Sequence, residues 1–336
     1  MNRKQSIKRG FAMLLAGMLA LGMTACSGEA GQDDGKLTVG IVQMADNGAF
    51  TDMREGFIQR LEELGYTEDQ LEIDYKNAQG DATNLNSICQ EMVSSDVDLI
   101  AAIATPAAQA VVNMGSDIPV IFISVSDPTG AGIITDLEHP DKNATGTSNA
   151  IPVDEMFALS DELTPGCQTY GLLYNTSEVN SVTTVEQAKA YLDEHGLSYE
   201  EAVVTNSSEV QQAAQSLVGK VDAIFVPNDS VVQTAMPQVA EVAREAGIPV
   251  YGSSAVMVAS GAFATISISD TQIGAMSADM ADQYFQGTPI SEIPAVVVSE
   301  FTTVINTDTA GALGITLSQE VLDSATLLTD EDGAEQ

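Results

Sequence analysis

The stretch VDLIAAIATPAAQAV (97–111), continued by DIPVIFISVSD (117–127), contains two uninterrupted apolar runs separated by a helix-forming segment. Neither run alternates apolar with polar residues. A strand with one face in water alternates, whereas a parallel strand covered on both faces does not, so both runs predict buried parallel strands. Thr105-Pro106 between them predicts a helix start, with Thr as N-cap and Pro in the first turn. A second passage repeats the plan: VDAIFVPNDSVVQTA (221–235), then GIPVYGSS (247–254). Both read as strand, loop, helix, an Ile-Pro-Val step, and a strand ending in small polar residues.

The same alternation extends outward in both directions. LTVGIVQM (37–44) predicts a strand. Phe50, Met53, Phe57, Leu61 and Leu64 then fall at helical spacing until Gly65. LEIDYKNA (71–78) and a helix from Asp81 to Ser94 follow. After the Gly- and Thr-rich TGTSNAIP (145–152) the series restarts, with QTYGLLY (168–174) and LSYEEAVV (197–204) as strands. Helices are predicted at Met156–Leu163, Val182–His195, Val210–Leu217 and Ser230–Ala246. Two βα series joined by a polar connector predict an α/β protein of two doubly wound parallel-sheet lobes. Ligands of such folds sit in loops at the carboxyl ends of strands.

The amino terminus predicts where the protein works. Arg3, Lys4, Lys8 and Arg9 precede an uncharged run, Phe11 to Met23, which is shorter than the about 20 residues that span a bilayer. Met23-Thr24-Ala25-Cys26 then offers small residues and a thiol, as in a bacterial lipobox. Residues 1–25 are expected to be a signal peptide, Cys26 the lipidated first residue, and 26–36 a tether. This places the protein at the extracytoplasmic face of a bacterial membrane, held there by lipid only. From Cys26 onward the chain carries 8 Lys+Arg against 48 Asp+Glu, a formal charge of about −40. Such a surface repels nucleic acid and anionic headgroups.

Catalytic chemistry finds no foothold. No GxSxG, HExxH, Walker A or GxGxxG motif occurs, and His139 and His195 have neither ligand spacing nor a strand-end position. No metal or cofactor is expected, and Cys89 and Cys167 read as small buried residues more readily than as a bridge. What recurs at strand ends is polar clusters: Thr105-Pro106-Ala107, Ser124 to Asp127, Ser177 to Ser181, and Asn228-Asp229-Ser230. Free N–H groups at the helix opened by Thr105 suit an anion. Asp127 and Asp229 suit a cation gripped from two lobes, which together describe a zwitterion. Equally, Asp127-Pro128 suits a turn and Asp229 a helix cap.

Five segments carry a family resemblance: IDYKNAQGDATNLNSI, DLIAAIATPAAQA, SVSDPTGAG, LLYNTSEVNSV and QQAAQSLVGKVDAIFVPND. From about Val39 to Gly314 the chain resembles binding proteins of ABC importers of the tryptophan/tyrosine type. The resemblance implies a type I periplasmic-binding-protein fold with a three-segment hinge, working as a monomer with a permease and its ATPase. It implies an amino acid, often aromatic, as ligand; the alternatives are a sugar or nucleoside, or a sensory module reporting to a membrane receptor. It places Thr105, Ala107 and Ser181 near the ligand carboxylate, and Asp127 and Asp229 near its ammonium. ATISISDTQIG (264–274) resembles a return crossing, so lobe 1 is expected to comprise 37–150 plus 269–292, and lobe 2 to comprise 151–268 plus 293–330.

Two segments depart from the family pattern. Asp46-Asn47-Gly48-Ala49-Phe50-Thr51 stands where relatives carry an acidic-His-Pro-Ala-Leu-Asp run, and Gly252-Ser253-Ser254 where an aspartate is common. Asp46, Asn47, Phe50, Asn228 and Ser253 complete the expected ligand-binding set. The spacing of Phe50 to Met53 and Phe57 fits a core position as well as a pocket one.

Overall fold

The computed structural model describes residues 36–334; the expected signal peptide, Cys26 and most of the tether lie outside them. Among the described residues, no helix is long and apolar enough to cross a membrane. The first lobe begins β1 (Leu37–Gln43), α1 (Gly48–Glu63), β2 (Leu71–Asn77), α2 (Ala82–Met92), β3 (Leu99–Ile103) and α3 (Ala104–Asn113). It continues with β4 (Val120–Ile123) and β5 (Ala144–Ser148). The second lobe begins α4 (Val153–Leu163), β6 (Thr169–Asn175), α5 (Val179–Glu194), β7 (Ser198–Val204), α6 (Val210–Leu217) and β8 (Ala223–Phe225). Next come α7 (Ser230–Thr234), α8 (Met236–Ala246), β9 (Val250–Tyr251), α9 (Ala255–Ala259) and β10 (Ala264–Ser267). The chain ends α10 (Asp270–Phe285), β11 (Val296–Val297), β12 (Thr302–Asn306), α11 (Thr307–Ala312), α12 (Gln319–Ser324), β13 (Thr326–Leu328) and α13 (Asp330–Ala334).

Two sheets result, ordered β11-β5-β4-β3-β1-β2 and β13-β12-β10-β9-β8-β6-β7. The uninterrupted apolar runs lie where a two-sided core requires them. Leu99, Ala101 and Ile103 of β3 face the cluster beneath α1 and α10, while Ile100 and Ala102 face the opposite cluster beneath α2 and α3. Successive strand side chains point to opposite faces, so a strand buried on both has no polar position to offer. The first sheet is parallel throughout. The second departs from the all-parallel expectation, because β12 runs antiparallel to β10.

Three crossings join the lobes, at 149–152, 268–269 and 298–301, as a three-segment hinge requires. The third corrects an expectation. Val296 and Val297, assigned above to lobe 2 within 293–330, pair in parallel with Thr147 and Ser148 and extend the first sheet. The edge of β5 offered unpaired backbone groups, and the returning chain satisfies them before it crosses. Helix α10 packs on α1 in lobe 1, and glycine makes the contact possible. A Cβ on Gly56 would stand 2.3 Å from the Thr271 carbonyl oxygen, and one on Gly274 2.1 Å from that of Met53. The two backbones therefore nearly touch, which fixes the start of α10 beside the second turn of α1.

Two smaller expectations also change. The helix expected over Ser230–Ala246 is two helices, broken at Ala235 (φ −102°, ψ 12°) with Pro237 at the start of the second. Proline removes a donor and clashes with the preceding turn, so it begins helices rather than continuing them. Cys89 and Cys167 are both free, the first buried in lobe 1 and the second half-buried in lobe 2.

Candidate functional site

Between the lobes lies a narrow cleft of about 30 Å³, lined by residues of both. It has an apolar side, made by Ala49, Phe50 and Met53 of α1 with Ile268 and Ile273. Its polar side comes from strand ends: Thr105, Ser124 and Ser126 of lobe 1, Asn180, Asn228 and Ser230 of lobe 2, and Asn149 of the first crossing. No Lys, Arg or His lines it. Among the described residues, no group of three or more metal-ligating side chains exists.

The lobe 1 wall is built on strained backbone. Ala104 (φ 70°) and Ser124 (φ 63°), at the ends of β3 and β4, are left-handed although neither is glycine, at a cost of about 1–2 kcal/mol each. The turn at Ala104 corrects the expected cap. The helix begins two residues earlier, its N-cap Ile103 has no side-chain bond, and Thr105 lies inside the first turn. Thr105 is 2 % exposed and Ser124 3 %. Neither hydroxyl makes a hydrogen bond within the protein. Two buried, uncommitted hydroxyls at the amino end of α3 face the cleft. Polar groups so placed cost stability unless a bound molecule pairs with them.

In lobe 2 the Asn228 carbonyl accepts from Asn180 Nδ2 at 2.7 Å and from Ser181 Oγ at 3.1 Å. The first bond orients the Asn180 amide, and its Oδ1 has no partner within the protein. Ser253 lines the cleft while donating to the Val226 carbonyl at 2.7 Å. The lobes also touch directly. Asn47 caps α1 by accepting from the Phe50 N–H at 3.0 Å, and accepts from Gln233 Nε2 of lobe 2 at 2.9 Å. Gln233 Oε1 in turn accepts from Ser254 Oγ at 3.2 Å.

The two aspartates expected to clamp a cation have other work in the structure. Asp127 Oδ1 accepts from the Gly130 N–H at 2.8 Å and from Thr129 Oγ1 at 3.0 Å, the turn anticipated for Asp-Pro. Asp127 borders an outer recess and is not among the residues lining the main cleft. Asp229 does reach the cleft wall, but both its oxygens are taken. Oδ1 accepts from the N–H groups of Val231 and Val232 at 3.1 and 2.9 Å, and Oδ2 from that of Asn175 at 2.6 Å. Glu178 is buried beside it and accepts from the Ser230 N–H at 3.1 Å. Burial first, and then the Asp229 charge, pushes the Glu178 carboxyl up to about 8. Asp229 holds the better set of donors, so the proton of the pair resides on Glu178.

Of the other expected residues, Phe50 serves both ends of the question posed by its spacing: it lines the cleft and is 7 % exposed within the lobe 1 core. Asp46 is exposed and Ala107 is fully buried in the core, and neither lines the cleft. Ser181 lies behind Asn228 rather than on the wall. Sequence reading placed Ser124 and Asn180 in its strand-end clusters and Ser254 in a departing segment without assigning them to the ligand, and it missed Asn149 and Gln233. It also missed Asp270, which stands at the second crossing and whose side chain accepts no hydrogen bond within the protein. The ISISD segment had been recognised as a crossing, and that position was the available signal.

Residues 38–328 match the family model for ABC transporter substrate binding proteins. The chain belongs to that family. It is accordingly a solute-binding component of an importer, working outside the cytoplasm with a permease and an ATPase, and not an enzyme. This substrate-binding protein is 37 % identical over 318 residues to the tyrosine-binding protein of Clostridioides difficile (strain R20291), covering 91 % of this chain and 92 % of that one. Among solved structures it resembles the ABC domain in complex with L-Trp from Streptococcus pneumonia (34 % identity, TM-score 0.84, covering 87 % of this chain and 99 % of that one). It also resembles the ligand-free, open structure of a Clostridium difficile substrate binding protein with adhesive properties (35 % identity, TM-score 0.66, covering 87 % and 99 %). At matched identity and coverage the overlay is much better with the complex. The Asn47–Gln233 bond joins the two lobes across the cleft.

Proposed function

We propose that this substrate-binding protein captures a free amino acid with an aromatic side chain and presents it, as a lipid-anchored monomer, to the permease. The observation that carries the reading is the lining of the cleft. Uncommitted hydroxyls of Thr105 and Ser124 line it beside the amino end of a ten-residue helix, and Phe50, Met53, Ile268 and Ile273 add apolar wall to the same cleft. A carboxylate suits the former, through hydroxyl donors and the helix dipole. A flat apolar side chain suits the latter. The tyrosine- and tryptophan-binding relatives support the same ligand class, and Met23-Thr24-Ala25-Cys26 supports the anchor.

Thermal shift of the protein with each of the twenty amino acids, a sugar set and a nucleoside set tests the reading. L-tyrosine or L-tryptophan at a hundred times its Kd stabilises the native state by about 2.7 kcal/mol and raises the midpoint. A shift with sugars or nucleosides and none with any amino acid refutes it.

A further inference from the structure

We propose that Asp270 supplies the counter-charge for the ligand's ammonium group, in place of the aspartates that the sequence pattern points to. The inference rests on the amino-acid reading above and deepens it.

An ammonium ion withdrawn from water needs an anionic partner with free acceptor capacity. Among the described residues, only two ionisable side chains line the cleft, Asp229 and Asp270. Asp229 is committed to three backbone N–H groups, and Asp127, in the outer recess, is committed to its own turn. Asp270 has no salt-bridge or hydrogen-bond partner, and it lies on the same stretch of wall as Ile268 and Ile273. Its position is rigid. It is the first residue of α10, behind the Ser269 cap, and the glycine contacts of Gly56 and Gly274 lock that helix onto α1. A charge held there faces every ligand that enters and moves with lobe 1 alone.

The surroundings of Asp270 set how it behaves with pH. From α1 it faces Asp52, whose own carboxyl is raised by burial and then by Glu55; across the cleft the other ionisable group on the wall is Asp229. No base offsets these charges at the wall. Burial, and then Asp52, pushes the Asp270 carboxyl up to about 8. The side chain is half-buried, so the carboxyl of the unliganded site is partly protonated near neutral pH. An arriving ammonium favours the ionised form, so binding releases that proton. Affinity rises with pH up to about 8, by at most about tenfold per unit.

The test is a titration cycle using L-tyrosine and 3-(4-hydroxyphenyl)propionate, which lacks the ammonium, against wild type and Asp270→Asn. Thermal melts of both proteins confirm folding; the variant is expected to melt at or above wild type at pH 8, since a repulsion is removed. Asp270→Asn is expected to weaken L-tyrosine by about tenfold to a hundredfold while leaving the propionate within about threefold. Equal affinity of variant and wild type for L-tyrosine overturns the inference and leaves the amino-acid reading standing. Equal weakening of both ligands overturns it too, and assigns Asp270 to the phenol end. Wild type that shows neither heat nor a thermal shift with L-tyrosine, L-tryptophan or any other amino acid refutes the amino-acid reading, and this inference falls with it.

Discussion

Replacing Asp229 by asparagine separates a helix-capping aspartate from a ligand-binding one. The carboxylate holds three backbone N–H groups at 2.6, 2.9 and 3.1 Å, and is 2 % exposed. Asparagine keeps one acceptor, sufficient for Val231 and Val232, but turns an NH₂ group towards the Asn175 N–H. A buried donor left without an acceptor costs about 1–3 kcal/mol. Relief of the charge facing Glu178 offsets part of this, so the net loss lies near the lower end of that range. Asp229→Ala also removes the cap, worth about 1 kcal/mol more. At roughly 2–4 °C per kcal/mol for domains of this size, the midpoint falls by roughly 2–4 °C for Asn and about twice that for Ala. Affinity for L-tyrosine, measured by calorimetry well below the midpoint, stays within about threefold of wild type. An unchanged midpoint with a tenfold weaker Kd for Asp229→Asn refutes the reasoning, because the carboxylate then faces the ligand after all.

Thr105→Val replaces an unpartnered hydroxyl by a methyl of nearly the same shape: stability holds or rises, while amino-acid affinity measured by calorimetry falls about tenfold to a hundredfold through loss of a charge-assisted bond. For Glu178, raised from 4.5 to about 8, the native state binds more protons than the unfolded chain between those values. Glu178's contribution to stability is therefore full below pH 4.5 and is lost towards pH 8; Asp270 is raised into the same window, so melts of Glu178→Gln decline less steeply than wild type rather than staying flat, and the gap at pH 8 is on the order of several °C. Growth with a fatty-acid analogue labels the wild-type protein and not Cys26→Ser; equal labelling of both excludes lipidation at Cys26.

The fold was legible where burial leaves its mark on every residue of an element. Leu99–Ile103 and Ala223–Phe225 are buried without exception, and a strand inside two helix layers must be apolar throughout. Val296–Val297 carried no such mark. Two residues, one half-buried and one exposed, have no periodicity, and their place in the first sheet is decided by backbone groups along the edge of β5. Strand direction is equally silent, since β12 buries Val304 and Ile305 in the same way whichever way it runs. The site was legible by class and less so by residue. An aspartate after a strand is the same letter whether it caps the next helix or grips a ligand, and only the positions of the N–H groups around Asp127 and Asp229 distinguish the two. Asp270 carried the opposite disguise. An acid in the first turn of a helix is favourable by itself, so the letter looks accounted for. Its isolation comes from Asp52, from burial and from the absence of a base, none of them local in sequence.

Thr105 shows most clearly why the chemistry of such a site escapes local reading. Threonine before proline at the end of a strand reads as a cap, and a cap would spend the hydroxyl on the helix's own N–H groups. With the left-handed turn at Ala104 the helix starts two residues early, and the hydroxyl is left free. The same conformation at Ser124 frees a second one. Neither residue has an intrinsic reason to adopt that backbone, which glycine would adopt at little cost. Both are held there by β3 and β4, which are fully or almost fully buried and paired in register at Ile100–Val120 through Ile103–Ile123. The sheet thus imposes a local cost at two adjacent strand ends, and both ends place an uncommitted hydroxyl in the cleft. Strain of this kind persists only where the surrounding structure over-determines it, and here it orders two donors before any ligand arrives. Relaxing it, for instance with Ala104→Gly, would preserve the fold and the side chains of the site while loosening the one feature that aims them.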